Sequence, residues 1–203
     1  MNNLSRRTLL TLTVTLTSGC VQQSTDISGE NTTISNEFNC EDSFQPEPDV
    51  EAGIEHEIDL DDDEVTVTSV GFAEYPDHPS EISEEIILEF IREYEPSYQK
   101  NYHLGSSEEH GDFLMSISTN VEEATHLGKY SGVDFIKTSS FVTFDRYVEQ
   151  YSDVESAHYP VTALYGIDKT GLIRSKIGHE DSDNSPQIDF PEDFTNDDLL
   201  YCL

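Results

Sequence analysis

Basic residues are scarce in this chain, so each one inside an apolar stretch is a candidate for recognition. Lys and Arg together number 10 against 42 Asp and Glu. Arg174 sits in the alternating run Leu172–Ile177, and Arg92 in a stretch with helical spacing. A guanidinium grips a carboxylate or phosphate with two parallel N–H donors. Arg174 and Arg92, if they converge between a helix and a sheet, would hold such an anion, with Tyr98 and Tyr165 lining the cavity. Tyr94 and Tyr159 could join that lining. The competing reading is structural: each Arg pairs with one of the many acids, Arg146 included, and the tyrosines are core with their hydroxyls at the rim.

Other chemistries find less support. Seven histidines are scattered, and no two stand at metal-ligand spacing on one predicted helix. His103 and His110 flank Gly105 and could meet Glu108 or Asp112 around a transition metal, but loop histidines in a hydrophilic chain are usually solvated. Asp59, Asp61 and Asp63 have the spacing that opens a calcium loop. That loop requires Gly at its sixth position and Glu at its twelfth, where this chain has Glu64 and Val70. There is no phosphate-binding glycine loop, no H-E-x-x-H, no C-x-x-C and no G-x-S-x-G. No cofactor, metal site or catalytic residue is therefore expected.

The elements that would position these residues can be read from periodicity. Ile54 to Leu60 and Glu64 to Phe72 are short strands about an acidic turn, with a change of face near Ser69 that suggests a bulge. Ser83 can cap a helix whose apolar residues, Ile86, Ile87, Phe90, Ile91, Tyr94 and Tyr98, recur at three and four. Pro96 should kink or interrupt that helix, and Gly105 should end it. Strands dominate from Asp112: Phe113 to Val121, Val133 to Ile136, Phe141 to Phe144, Tyr159 to Ile167 and Leu172 to Ile177. Gly128 and Gly132 bracket a turn. Asp168–Gly171 is a hairpin loop with glycine expected at positive φ. The stretch 145–155 suits helix or strand, and Leu199 to Tyr201 could pack and carry Cys202.

Composition bounds the setting. The formal charge is −32 in a chain with 35% hydrophobic residues, ten Phe and ten Tyr. That apolar content in patterned runs argues against disorder. A binder of basic partners would be acidic too, but the acids here are spread throughout, as suits molar salt. There the Debye length is about 3 Å, and surface carboxylates stop repelling one another. Nucleic acid is excluded as a partner, since no basic patch meets phosphates.

The first twenty residues read as an export segment. Arg6 and Arg7 precede a short apolar run, Leu9 to Leu16, diluted by Thr11, Thr13 and Thr15, and no acid occurs before Asp26. The run is about half the 20 apolar residues a membrane span needs. The Arg pair with its flanking Ser5, Leu9 and Leu10 resembles a twin-arginine signal. Thr17-Ser18-Gly19-Cys20 resembles a lipobox, departing from it at Thr17, where Leu is usual. Together these segments resemble the precursors of haloarchaeal lipoproteins exported by the twin-arginine route. The resemblance covers about a tenth of the chain and the acidic composition. It implies a signal peptide over 1–19, a diacyl lipid on Cys20, and a location on the outer face of the cytoplasmic membrane, to which that lipid would anchor the chain.

Residues 20–39, polar and poor in apolar side chains, read as a flexible tether, with Asn31-Thr32-Thr33 a candidate glycosylation sequon at Asn31. Setting Cys20 aside leaves the pair Cys40 and Cys202. Outside the membrane a bridge between them would clip the ends of a single domain over 40–203; the alternative is two buried thiols. One long helix on a curved antiparallel sheet of five or six strands makes an α+β domain. Its element order is similar to the cystatin-like and nuclear-transport-factor-like cone folds. Such folds host several functions. The reading is therefore a surface-tethered module that binds an envelope protein or small ligand in high salt. The alternative is a cone-fold enzyme or small-ligand-binding protein whose site lies between helix and sheet.

Overall fold

The computed structural model describes residues 32–50, 53–60, 63–107, 112–177, 190 and 194–203. Cys20, Asn31, the export segment, Glu108 and His110 lie outside the described residues.

The first two strands pair as patterning predicts. β1 (Glu55–Leu60) pairs antiparallel with β2 (Asp63–Thr68), with Ile58 opposite Val65. β2 ends at Thr68, so the expected continuation to Phe72 through a bulge does not form. The Ser69 amide still follows the hairpin register, donating to the Ile54 carbonyl at 2.9 Å, and the chain leaves the hairpin at Val70, whose amide donates to the Leu114 carbonyl at 2.9 Å.

The predicted helix is α2 (Glu84–Ser107), opened by the Ser83 carbonyl accepting from the Ile87 amide. It runs through Pro96 without the interruption that was one of the two expectations there, and it continues past Gly105, against the expected stop. Packing overrides propensity here. Phe90, Ile91 and Tyr94 before the proline, and Tyr98 and Leu104 after it, are all buried. Pro96 removes the partner of the carbonyl at Arg92, an exposed residue where water can take its place.

The main sheet is an antiparallel meander in chain order: β3 (Phe113–Tyr130), β4 (Val133–Val148), β5 (Asp153–Asp168), β6 (Gly171–Ile177) and β7 (Leu199–Cys202). Ser131 and Gly132, both at positive φ, make the β3–β4 turn. The ambiguous stretch 145–155 completes β4, turns through a short 3-10 segment at Glu149–Tyr151, and begins β5. Three register shifts in β3 bend that strand. Gly171 lacks the positive φ expected of it; a Cβ there would lie 2.5 Å from the Tyr201 carbonyl oxygen. Close approach of β7, not turn geometry, demands the glycine.

One face of this sheet carries α2. Ile87, Phe90, Ile91, Tyr94 and Tyr98 pack on Ala124, Ile136, Ala163, Tyr165, Ile167 and Leu172. The other face is covered at one end by Ile34, Phe38, Phe190 and Phe194 over Val133, Phe135, Leu164 and Ile173. The tether reading of 20–39 is thus corrected at its end. Ile34 and Phe38, four apart, are buried, and α1 (Ile34–Glu37) docks with its Ile34 amide on Asp168 Oδ2 at 2.9 Å. Two apolar residues in a polar stretch thus join Phe190 and Phe194 in covering that end of the sheet. Cys40 and Cys202 are disulfide-bonded, joining this segment to β7.

Candidate functional site

A pocket of about 230 Å³ opens between α2, the strands β5 and β6, and the turn before β7. Each wall follows from a simple periodicity. On α2, Glu95, Tyr98, Gln99 and Tyr102 fall at three- and four-residue steps and so share a stripe. On β6, Arg174 and Lys176 alternate with Ile173 and Ser175, so both point to the helix side. β5 contributes Tyr159 and Val161, and a 3-10 turn at Asn196–Asp198 contributes Asp197 and Asp198. Phe44 closes one side; its amide donates to the Leu199 carbonyl at 2.8 Å, which fixes the segment against the start of β7.

Arg174 is the anchor of the inner wall. Its side chain is 5% exposed and its partner Glu95 is fully buried. Nη2 donates to Glu95 Oε1 at 3.0 Å, and Nε donates to Glu95 Oε2 at 3.1 Å and to the Tyr165 hydroxyl at 3.0 Å. The Tyr165 hydroxyl donates to Glu95 Oε2, and Gln99 Nε2 donates to Glu95 Oε1 at 2.7 Å. The carboxylate thus has donors on both oxygens, which a buried charge requires. The guanidinium carbon also lies 4.1 Å from the Tyr98 ring centroid, a cation–π contact. Burial alone would lower the Arg174 pKa, but the Glu95 carboxylate outweighs it and holds the guanidinium charged. Burial drives the Tyr165 phenol far above its usual range, and Glu95 adds to that, so the proton stays on oxygen.

The predicted site residues separate. Arg174, Tyr98 and Tyr165 come together as expected, whereas Arg92 is exposed on the outside of α2 and does not converge with them. Arg146 pairs with Glu155 at 2.5 Å. Tyr94 is buried, with its hydroxyl donating to Gln45 Oε1 at 3.3 Å. Tyr159 lines the pocket and meets His103 Nε2 through its hydroxyl at 2.5 Å. Burial, with Arg146 and Lys176 adding to it, holds His103 below the ordinary histidine range, so this ring is neutral at pH 7. The other described histidines are scattered: His56 stacks on Phe113, His158 on Phe141, His78 meets the Tyr201 hydroxyl and His126 meets Asp134. Among the described residues no group of three His, Cys, Asp or Glu could hold a metal ion.

Sequence reasoning missed Glu95, the partner that decides what Arg174 is for. The signal was present: Glu95 lies beside Tyr94 and three residues before Tyr98, on the buried side of α2. An acid there must be paired, and the chain has few bases to pair it with. Phe44, Lys176, Asp197 and Asp198 carried no sequence signal, because they reach the pocket from segments distant in the chain.

No protein-family model matches this chain, and neither a curated protein nor a solved structure does. No helix among the described residues is long and apolar enough to cross a membrane.

Proposed function

We propose that the chain is an extracytoplasmic lipoprotein, anchored through a lipid on Cys20 after twin-arginine export, whose domain binds a small molecule in high salt. The observation that carries the binding part is the pocket itself. A concave site walled by Phe44, Tyr98, Tyr102 and Tyr159, with a fixed Arg174 at its base, combines apolar surface with a few directed polar groups. Small-molecule sites have that composition. The location of the pocket between helix and sheet also fits the cone-fold comparison, in which a sheet curves around its helix; the bent strand β3 supports that finer architecture. The acidic composition and the residues from Arg6 to Cys20 support the envelope setting.

Two measurements test this. A thermal-shift screen of polar metabolites in molar KCl should yield a ligand whose effect disappears in Tyr102→Ala, a substitution at a half-exposed residue that leaves the core intact. A screen without such a ligand would remove the binding reading. Separately, Cys20→Ser should move the protein from membranes to the medium; retention on membranes would remove the lipid anchor.

A second reading, an enzyme, is favoured by one observation. His103, with its Nε2 at 2.5 Å from the hydroxyl of the pocket residue Tyr159, is placed to exchange a proton with it. Burial raises the Tyr159 phenol above its usual range, which opposes that role. Binding without turnover is therefore the leading reading.

A further inference from the structure

The pocket between α2 and the strands β5 and β6 has a neutral acceptor on a buried side chain and two open ring faces among its lining. We propose that its ligand is a neutral sugar, one ring seated against Phe44 and Tyr102 with hydroxyls donating to Gln99 Oε1 and Asp197. This deepens the reading of the pocket as a ligand site and rests on it.

Gln99 is the residue that points to a ligand. It lines the pocket and is only 4% exposed. Its Nε2 donates to Glu95 Oε1 at 2.7 Å, which fixes the amide and tells its two ends apart. Oε1 has no donor among the described residues, and it is not one of the polar atoms that protein encloses without a partner. It therefore opens on the pocket that Gln99 lines. Carbonyl oxygens on buried side chains are hydrogen-bonded almost without exception, and here the donor has to come from the pocket. What Oε1 accepts is an O–H or an N–H. A full charge held at this depth would need an opposite charge beside it. Arg174 and Glu95 already cancel each other, so this end of the pocket suits a neutral group.

The rings supply the second contact. Tyr102 stacks on Tyr98, with centroids 6.1 Å apart and planes 14° from parallel, yet it stays 50% exposed, and Phe44 is 60% exposed. Both line the pocket. An open aromatic face is matched by the C–H face of a sugar ring, which is apolar while the hydroxyls lie around its edge. Those hydroxyls find partners on β6 and the turn beside it. Asp197 sits on the turn that leads into β7, and β7 neighbours β6 with its Lys176. Asp198 Oδ2 is engaged by the Thr195 amide at 2.8 Å and the Thr195 hydroxyl at 3.1 Å, which leaves Asp197 as the freer carboxylate. Lys176 forms no ion pair among the described residues. An acceptor and a donor on neighbouring segments suit hydroxyl groups, which both donate and accept.

Charge and salt favour the same class. Lys176 offsets part of what Asp197 and Asp198 offer a cation, and the acids offset what Lys176 offers an anion. A plain cation is the nearest competitor, because two acids stand against one base. Its contacts with those acids would be screened in molar salt over about 3 Å, whereas stacking and hydrogen bonds to a neutral ring would not. The volume of about 230 Å³ lies below the usual range for drug-sized ligands and suits one sugar ring.

Saturation-transfer NMR and calorimetry on the full chain in molar KCl test the inference with glucose, galactose, mannose and N-acetylglucosamine. The comparison probes are sorbitol, which has the hydroxyls without the ring face, choline, a plain cation, and adenine, a flat aromatic. At least one of the sugars should bind, with the comparison probes at least about tenfold weaker, the size of one lost contact. Its affinity should change by less than about twofold between about 0.5 M and 2 M KCl. Tyr102→Ala and Asp197→Asn should each weaken it about tenfold, and Tyr102→Phe should leave it within about threefold, with Tm in the absence of ligand unchanged in all of them. Gln99→Met removes Oε1 at nearly constant size and should abolish binding; if that variant does not fold, the Tyr102 and Asp197 variants carry the test. Sorbitol, choline or adenine binding as tightly as the best sugar, and lost in Tyr102→Ala, would overturn the sugar while the pocket stands. Sugar binding untouched by Tyr102→Ala and Asp197→Asn would overturn the assignment to this pocket. Failure of every sugar would overturn the class, and the metabolite screen then decides separately whether the pocket binds anything.

Discussion

Glu95 shows how one buried acid can set the character of a site. Its partner Arg174 would otherwise be a free cation in an apolar wall, attractive to any anion. Paired, it is a rigid donor rack. Removing one partner leaves the other charge buried alone, so Glu95→Leu should cost about 3–5 kcal/mol. The double variant Glu95→Leu with Arg174→Met should recover most of that, because a well-packed apolar pair often equals a buried ion pair. Denaturant titration of the four proteins in molar KCl checks it; a double variant as unstable as the single one would show that the charges themselves hold helix to sheet.

A second consequence at this scale concerns pH. His78 and His103 are both held below the ordinary histidine range, mainly by burial. Their protons are taken up by the unfolded chain first as pH falls below about 6.5. Their contribution to stability is therefore complete above that pH and declines as pH falls towards the depressed values. Unfolding midpoints measured from pH 8 to pH 5.5 should fall, and His103→Gln should flatten the slope.

At the scale of elements, what could be read in advance was what is local. The α2 stripe and the strand centres follow from spacing and alternation, but Gly128, expected to bracket a turn with Gly132, lies inside β3, and Val133–Ile136 and Phe141–Phe144 are parts of one strand. What escaped was contributed from far along the chain. The continuity of α2 through Pro96 depends on a sheet face assembled from four strands, which no window of sequence displays. Ile34 and Phe38 looked like isolated apolar residues in a tether, because the surface they cover comes from β4, β5 and β6. Likewise the pocket unites α2 with β6, but its third wall is a turn some twenty residues beyond β6. Gly171 makes the same point in reverse, since its role was visible while its reason was not. Gly171→Ala would press on backbone that cannot step aside, so a loss of about 1–3 kcal/mol is expected. Hydrogen exchange should show the damage first in β7, whose amides depend on that contact.

For the whole molecule, charge is the governing quantity. A net charge of −32 on the whole chain implies self-repulsion that salt relieves. Raising KCl from 0.1 M to 2 M should stabilise the fold by a few kcal/mol, or about 10 °C in Tm for a domain of this size. A Tm that is flat or falling with KCl would contradict the reading of the acids as a salt adaptation.

The bond between Cys40 and Cys202 also decides how the domain meets mechanical force. It closes a loop spanning 162 positions, so tension applied at residues 32 and 203 runs through the disulfide and bypasses the sheet. Only the residues before Cys40 and the last residue can pay out, a few nanometres at about 3.5 Å per residue. α1 would peel away, and the five strands would remain under no load. A machine that unfolds its substrate by drawing in one end would meet a closed ring at the same place. Pulling on an end of the chain and taking the domain apart are thus separate events, and a reductant stands between them.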